Sequence, residues 1–116
     1  MGIINKLVDK VSKEKQEDLT ANEWYEKGVS QLSSGKLKKA LKCFDKVFEI
    51  KPEVNPKYDL DAIVWNNRGH ALKNLGRYQE AIDSFQKFIE LASPTPMFTS
   101  VVKRAKENIN RIKRRL

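Results

Sequence analysis

Apolar residues recur along most of this chain at intervals of three and four positions, the spacing of one face of an amphipathic helix. After Pro56 this spacing continues as far as Leu75, and it predicts one elongated helix over about residues 56–75. A second stripe, near the end of the chain, is made of Phe98, Val102, Ala105, Ile109, Ile112 and Leu116. A third, near the start, is made of Ile3, Ile4, Leu7, Val8 and Val11. The pattern predicts an all-α fold that begins and ends with an amphipathic helix.

Seven pairs of identical residues at one fixed offset of 41 positions mark an internal repeat in the chain. The pairs are Trp24/Trp65, Gly28/Gly69, Gly35/Gly76, Ala40/Ala81, Phe44/Phe85, Lys46/Lys87 and Glu49/Glu90. Each copy is predicted to form two helices around a tight turn, because a helix-length segment closes on Gly35 or Gly76 and a second one follows. A unit of this size does not bury its own apolar face, so the two copies are expected to stack.

Capping residues mark where the helices are expected to begin. Thr20 and Glu23 have the spacing of a capping box, in which a hydroxyl and a carboxylate each accept a hydrogen bond from a free backbone amide. The second copy follows an Asn-Pro pair at positions 55–56, a cap residue and then a proline. Thr95 and Pro96 form a similar combination and predict the start of a last helix.

Within each copy, the order of Trp, Gly, Gly, Ala, Phe and a closing Pro resembles the tetratricopeptide repeat, whose period is about 34 residues. These residues are Trp24, Gly28, Gly35, Ala40, Phe44 and Pro52, then Trp65, Gly69, Gly76, Ala81, Phe85 and Pro94. The resemblance implies a tetratricopeptide-like α-solenoid of antiparallel helix hairpins, with about six helices. Its expected segments are an N-terminal helix (1–18), a first repeat (19–52), a second repeat with an elongated first helix (53–94) and a basic C-terminal capping helix (95–116).

The same resemblance assigns structural roles and shows departures from the family pattern. Helices are expected to approach most closely at the paired glycines and alanines, around bulky plugs formed by Trp24, Phe44, Trp65 and Phe85. The offset of 41 exceeds the usual period of about 34. Lys27 and Arg68 stand where the family usually has leucine, so the packing is expected to differ somewhat from an idealised repeat.

In this family, the first helix of each hairpin usually lines a concave groove that holds an extended peptide or a helix. Carried over to this chain, the resemblance implies a peptide groove formed by Asn22, Tyr25, Glu26, Val29, Leu32, Ser33, Ile63, Asn66, Asn67, His70, Lys73 and Asn74. The asparagine amides suit hydrogen bonding to a peptide backbone without demanding a sequence, although they are equally consistent with a solvated helix surface. A chaperone carboxylate clamp is not expected, because Tyr25 and Val29 occupy the places of its first lysine and an asparagine. The favoured interpretation is a non-enzymatic adaptor that binds another protein.

The formal net charge of +8 is concentrated in residues 97–116, which hold seven basic side chains and one acidic side chain. The basic patch consists of Lys103, Arg104, Lys106, Arg111, Lys113, Arg114 and Arg115. Such a run is commonly a solvated helix face, and cations also suit the dipole of a helix C-terminus. The alternative function is binding of nucleic acid or an anionic surface through this helix. Sequence-specific reading of nucleic acid is not expected, because no recognition motif accompanies the charge.

The N-terminal stripe leaves several alternatives open. Residues 1–18 are amphipathic over their first half and strongly charged over the second. The segment is expected to pack beside the first repeat or to join two copies of the chain. It is also compatible with filling the groove as an internal ligand or with touching a membrane surface.

Catalytic chemistry is poorly represented in the composition. The chain has one histidine and one cysteine, without paired metal-ligand spacing or a glycine-rich phosphate loop. We therefore expect no enzyme activity, no cofactor and no metal, and Cys43 is expected to be a buried structural thiol beside Phe44. Without a membrane-span or signal-peptide pattern, a cytoplasmic location is expected.

Overall fold

The computed structural model describes residues 19–50 and 59–116, and within these two ranges it contains five α-helices and no strand. In chain order the helices are α1 (Ala21–Ser33), α2 (Leu37–Ile50), α3 (Asp59–Asn74), α4 (Tyr78–Ala92) and α5 (Thr99–Lys113), with a short 3₁₀ helix at Pro96–Phe98. The predicted all-α class is confirmed, and the described residues contain five of the helices. The predicted N-terminal helix, and its predicted self-association, fall outside the described residues, as do the first residues of the predicted elongated helix.

The helices stack in the order of the sequence. α1 packs on α2 and α3 on α4, so each copy of the repeat forms one helix hairpin. α2 also packs on α3, which joins the two hairpins, and α5 packs on α4. A helix thus covers the side of the second hairpin that faces away from the first.

The start of α1 has the predicted capping box. The Glu23 amide donates to Thr20 Oγ1 at 3.1 Å, and the Thr20 amide donates to Glu23 Oε1 at 3.2 Å. Two backbone amides that a helix start leaves without an intrahelical partner are satisfied in this way.

Both hairpins turn through the same left-handed glycine. Gly35 has a φ of 76° and Gly76 a φ of 78°, a region that residues with a Cβ rarely adopt. After α1 the Gly35 amide bonds to the Leu32 carbonyl at 3.1 Å and the Lys36 amide to the Gln31 carbonyl at 2.9 Å. The second turn repeats this Schellman arrangement with the same two offsets. The repeated glycines therefore end the first helix of each hairpin in the same way.

A glycine faces a phenylalanine at the centre of each hairpin. Phe44 and Phe85 are both fully buried, with 0% of their surface exposed. A Cβ added at Gly28 would lie 2.5 Å from Phe44 Cε1, and one added at Gly69 would lie 2.8 Å from Phe85 Cδ1. Only a residue without a side chain allows the helices to come this close.

The tryptophans do not share this burial. Trp24 and Trp65 are half-buried and lie at the edges of the two cores rather than inside them. Of the four predicted plugs, Phe44 and Phe85 are fully buried, while the two tryptophans pack against the cores as partly buried residues. Phe48 stacks obliquely on Trp65, with ring centroids 4.4 Å apart, so this indole contributes to the contact between α2 and α3.

The last helix begins later than the sequence indicates. Residues 96–98 form the 3₁₀ turn and α5 starts at Thr99, where the hydroxyl donates to the Pro96 carbonyl at 2.8 Å. The Thr95 side chain makes no capping hydrogen bond, so its predicted capping role is wrong. Four residues of the predicted stripe face the core from α5, namely Val102, Ala105, Ile109 and Ile112. Leu116, the last member of the predicted stripe, is 70% exposed.

Candidate peptide-binding surface

The surface that α1 and α3 share holds the residues predicted to line a groove. Its half-buried members are Tyr25, Val29, Leu32, Ile63, Asn66, Asn67, His70 and Lys73, whereas Asn22, Glu26, Ser33 and Asn74 are exposed. We call this set the first-helix surface. Half-buried side chains keep part of their surface accessible, so a bound chain can contact them.

One hydrogen bond connects the two halves of the first-helix surface. Asn67 Nδ2 of α3 donates to the Tyr25 hydroxyl of α1 at 3.4 Å, across 42 positions of sequence. The bond is long for an amide donor, so its contribution to stability is small. Both groups keep hydrogen-bonding capacity for a further partner.

Apolar side chains form the base of this surface. Tyr25 and Val29 pack against the core of the first hairpin, and Ile63 packs against the core of the second hairpin. Leu32 packs against both cores. The surface therefore combines a partly exposed apolar base with amide groups, the composition that suits contact with a peptide backbone and its side chains.

His70 lies on the same surface, and its side chain is uncharged there. Its ring meets Phe85 edge-on, with centroids 5.1 Å apart. Burial lowers the pKa of His70 below its ordinary value, and the charge of Lys73 lowers that pKa further. At pH 7 the imidazole is therefore uncharged and presents one donor and one acceptor.

A depression of about 600 Å³ lies at the end of this surface, between the α3–α4 turn and the last two turns of α5. It brings together residues from two predicted sets, the groove residues Lys73 and Asn74 and the basic residues Arg111 and Arg115. Its remaining lining residues are Leu75, Gly76, Tyr78, Asn108 and Ile112. The other predicted basic residues are Lys103, Arg104, Lys106, Lys113 and Arg114, all exposed and none of them part of this lining.

Comparison with known proteins identifies the architecture. A family model for the tetratricopeptide repeat matches residues 21–54 and 62–93, more than half of the chain. The chain belongs to the tetratricopeptide repeat family. The two matches start 41 positions apart, the offset at which the sequence repeats, and tetratricopeptide repeats generally mediate protein–protein interactions as non-enzymatic scaffolds.

An uncharacterized protein of the archaeon Methanocaldococcus jannaschii is similar to this tetratricopeptide repeat protein. The two sequences are 43% identical over 65 residues, a stretch that covers 56% of this chain and 67% of the relative.

The two positions at which this tetratricopeptide repeat protein departs from the usual leucine place a cation beside each tryptophan. Lys27 Nζ lies 5.2 Å from the centroid of the Trp24 ring, and the Arg68 guanidinium lies 5.6 Å from that of Trp65. A cation within about 6 Å of an indole is attracted by its ring electrons. The Trp to Lys or Arg spacing of three residues, present in both repeats, was the sequence signal for these contacts.

Arg68 has a further role that the sequence did not indicate. Its Nη1 donates to Ser84 Oγ of α4 at 2.8 Å, and its Nε donates to Asp45 Oδ1 of α2 at 3.3 Å. One guanidinium thus connects three helices of both repeats. Ser84 is fully buried, so this bond satisfies a hydroxyl inside the core.

Groups able to do metal or thiol chemistry are sparse in the part of the chain that the structure describes. Among residues 19–50 and 59–116, no three His, Cys, Asp or Glu side chains lie together as metal ligands. Cys43 is buried as predicted, and this burial raises the pKa of its thiol, which keeps the sulfur protonated at neutral pH. None of the described helices is long and apolar enough to cross a membrane.

Proposed function

We propose that this protein is an interaction module that holds an extended or helical segment of another protein on the first-helix surface. The observation that supports this most directly is the Tyr25–Asn67 contact, which shows that side chains from the first helices of the two repeats meet on one surface. A segment lying across both helices would meet a continuous surface rather than two separate ones.

The side chains on this surface supply two kinds of contact. Asn66 and Asn67 are half-buried amides, able to pair with the N–H and C=O groups of a peptide backbone. Val29 supplies an apolar contact, and neutral His70 adds one donor and one acceptor without charge. Such a surface favours peptides by shape and backbone hydrogen bonding, with side-chain preferences set by the apolar base.

Peptide selection followed by substitution tests this proposal. A phage-displayed library of random peptides is selected on the full chain, and the affinities of selected peptides are measured by fluorescence anisotropy. Because each amide supplies about one net hydrogen bond, Asn66→Ala and Asn67→Ala are each expected to weaken binding roughly fivefold to tenfold.

Gln86→Ala is the matched control, since it removes an exposed amide from α4, outside the first-helix surface. It is expected to leave the affinity unchanged. Equal binding by all three variants, or a selection that yields no binding peptide, would contradict the proposed site.

A second candidate function is binding of nucleic acid or another anionic surface through the basic patch. It is supported by the exposure of all seven predicted cations. Association with duplex DNA that weakens with salt by about 0.9 log units per log unit for each neutralised phosphate would support this candidate.

A further inference from the structure

We propose that the depression between the α3–α4 turn and α5 binds side-chain carboxylates of an acidic segment in a partner protein. The inference rests on the proposed protein-binding function and specifies the chemistry of part of the partner. It concerns a different set of residues from the amides of the first-helix surface.

The charge of the lining is the first support for this proposal. Lys73, Arg111 and Arg115 all line the depression, and no aspartate or glutamate of the described part of the chain does. Among the ion pairs of residues 19–50 and 59–116, none involves any of these three cations. Three positive charges around one concave space, without an acidic neighbour in the lining, favour an anionic guest.

The geometry of Arg115 is the second support. Arg115 lies beyond the end of α5, and its Nη1 donates to the Tyr78 hydroxyl of α4 at 3.4 Å. This contact draws the guanidinium toward the start of α4 and leaves its other N–H groups available. A guanidinium with free N–H groups can bind a carboxylate through two parallel hydrogen bonds.

The rest of the lining favours a peptide over a nucleic acid. Leu75 supplies partly exposed apolar surface, and Asn74 and Asn108 supply amides that suit a polypeptide backbone. Single-stranded nucleic acid is usually held by aromatic platforms along a groove. Among the residues that the structure describes, Tyr78 is the one aromatic residue lining this depression, and its hydroxyl already contacts Arg115.

The depression also continues the first-helix surface. Lys73 follows His70 by three residues on α3, so the two side chains are neighbours on one helix face. A segment bound on the first-helix surface and extending along α3 from His70 to Lys73 would reach the depression, which Lys73 lines. An acidic residue at one end of that segment would then meet the three cations.

Titration of the ¹⁵N-labelled full chain, followed by NMR, tests this site with defined probes. The principal probe is a hexaglutamate peptide with both ends blocked. It is expected to shift the side-chain Nε–Hε signals of Arg111 and Arg115 and the backbone amide of Gly76. Arg111→Glu is expected to weaken this binding about tenfold, because a charge-assisted hydrogen bond is replaced by repulsion.

Lys113→Glu is the matched control. Both Arg111 and Lys113 lie in the last turn of α5, so the two substitutions change the net charge and the helix dipole interaction alike. Of these two residues, Arg111 lines the depression and Lys113 does not. At moderate salt, Lys113→Glu is expected to bind the peptide with an affinity within about twofold of that of the unsubstituted chain. This result, together with the loss of affinity for Arg111→Glu, would support the site.

Other results would overturn the proposal. These are the absence of shifts at Arg111 and Arg115, or equal losses in the two variants. Equal or tighter binding by inorganic phosphate, by a DNA duplex, or by hexaglutamine with a free carboxyl terminus would also assign the depression to a different ligand. Asn67 does not line the depression, so the Asn67→Ala result tests the proposed function independently of these probes.

Discussion

At the scale of single residues, the closest approach of two helices depends on the absence of one methyl group. Gly69→Ala would place a Cβ 2.8 Å from Phe85, a ring that is completely enclosed by the second hairpin. Overpacking of this kind costs about 1–3 kcal/mol, while replacing a helical glycine with alanine returns about 1 kcal/mol. We expect a net loss in the free energy of unfolding, measured by urea denaturation.

A smaller residue at position 85 provides the control for this prediction. Phe85→Leu is expected to destabilise the chain by itself, because it leaves part of the core unfilled. Added to Phe85→Leu, the Gly69→Ala change should cost less than it does alone, since the new methyl group enters the vacated space. Strict additivity of the two losses would show that the Gly69–Phe85 approach is not the cause.

The roles of some residues were predictable because the same residue recurs in both repeats. Close helix approach at Gly28 and Gly69 was predicted because both glycines recur in the two repeats, but the predicted pairing was with alanines and not with the phenylalanines that they face. The role of Arg68 was not predictable in this way, because it depends on Ser84 and Asp45, which lie on two other helices. How deeply each predicted plug is buried was not predictable, because identity at a repeated position gives no measure of burial.

At the scale of helices, Arg68 is the side chain that connects α2, α3 and α4. Arg68→Leu restores the residue usual in the family and removes both hydrogen bonds. The buried Ser84 hydroxyl would then lose its donor, which costs about 1–3 kcal/mol. We expect a lower free energy of unfolding for Arg68→Leu by urea denaturation, although leucine is the more apolar side chain.

Two further variants separate the contributions to this effect. Asp45→Ala removes only an exposed partner and is expected to cost at most about 1 kcal/mol. Ser84→Ala combined with Arg68→Leu should recover part of the loss, because no buried hydroxyl is then left unsatisfied. A double variant no more stable than Arg68→Leu would argue against this role of the hydroxyl.

Helix ends were predictable from the sequence where they depend on residues close to each other in the chain. The capping box of α1 and the two glycine turns involve residues within five positions of each other, and the sequence predicted the box and the location of both turns. The last helix was predicted to open at Pro96, three residues before α5 begins. Phe98 is held against Phe88 of α4, with ring centroids 6.1 Å apart. The chain takes a 3₁₀ turn there before α5 begins at Thr99.

At the scale of the whole molecule, the described residues form two cores of unequal size. The first contains five buried apolar residues, Ala21, Ala40, Phe44, Val47 and Val64. The second contains fourteen, drawn mainly from α3, α4 and α5 and extended by the 3₁₀ residue Phe98. The repeat pattern in the sequence suggests two equal units. α5 contributes to the inequality, because it packs on the second hairpin and adds four buried apolar residues to that core.

The candidate binding residues were also predictable only in part. Family resemblance placed the predicted groove residues on α1 and α3, where the structure has them. The depression was not foreseen, because Lys73 and Arg115 are 42 positions apart and belong to segments that the sequence assigned to different functions.

Unequal cores predict unequal local stability. In a stacked repeat array, each unit is stabilised by its own core and by its contacts with its neighbours. Native-state hydrogen exchange should therefore show α1 amides opening at a lower free energy than those in the middle of α4. Leu32, which packs against both cores, is the residue expected to transmit stability between them. Leu32→Ala should widen the difference by lowering the opening free energy of α1 more than that of α4. Equal values for the two helices, before and after the substitution, would instead mean that both repeats open as one cooperative unit despite their different cores.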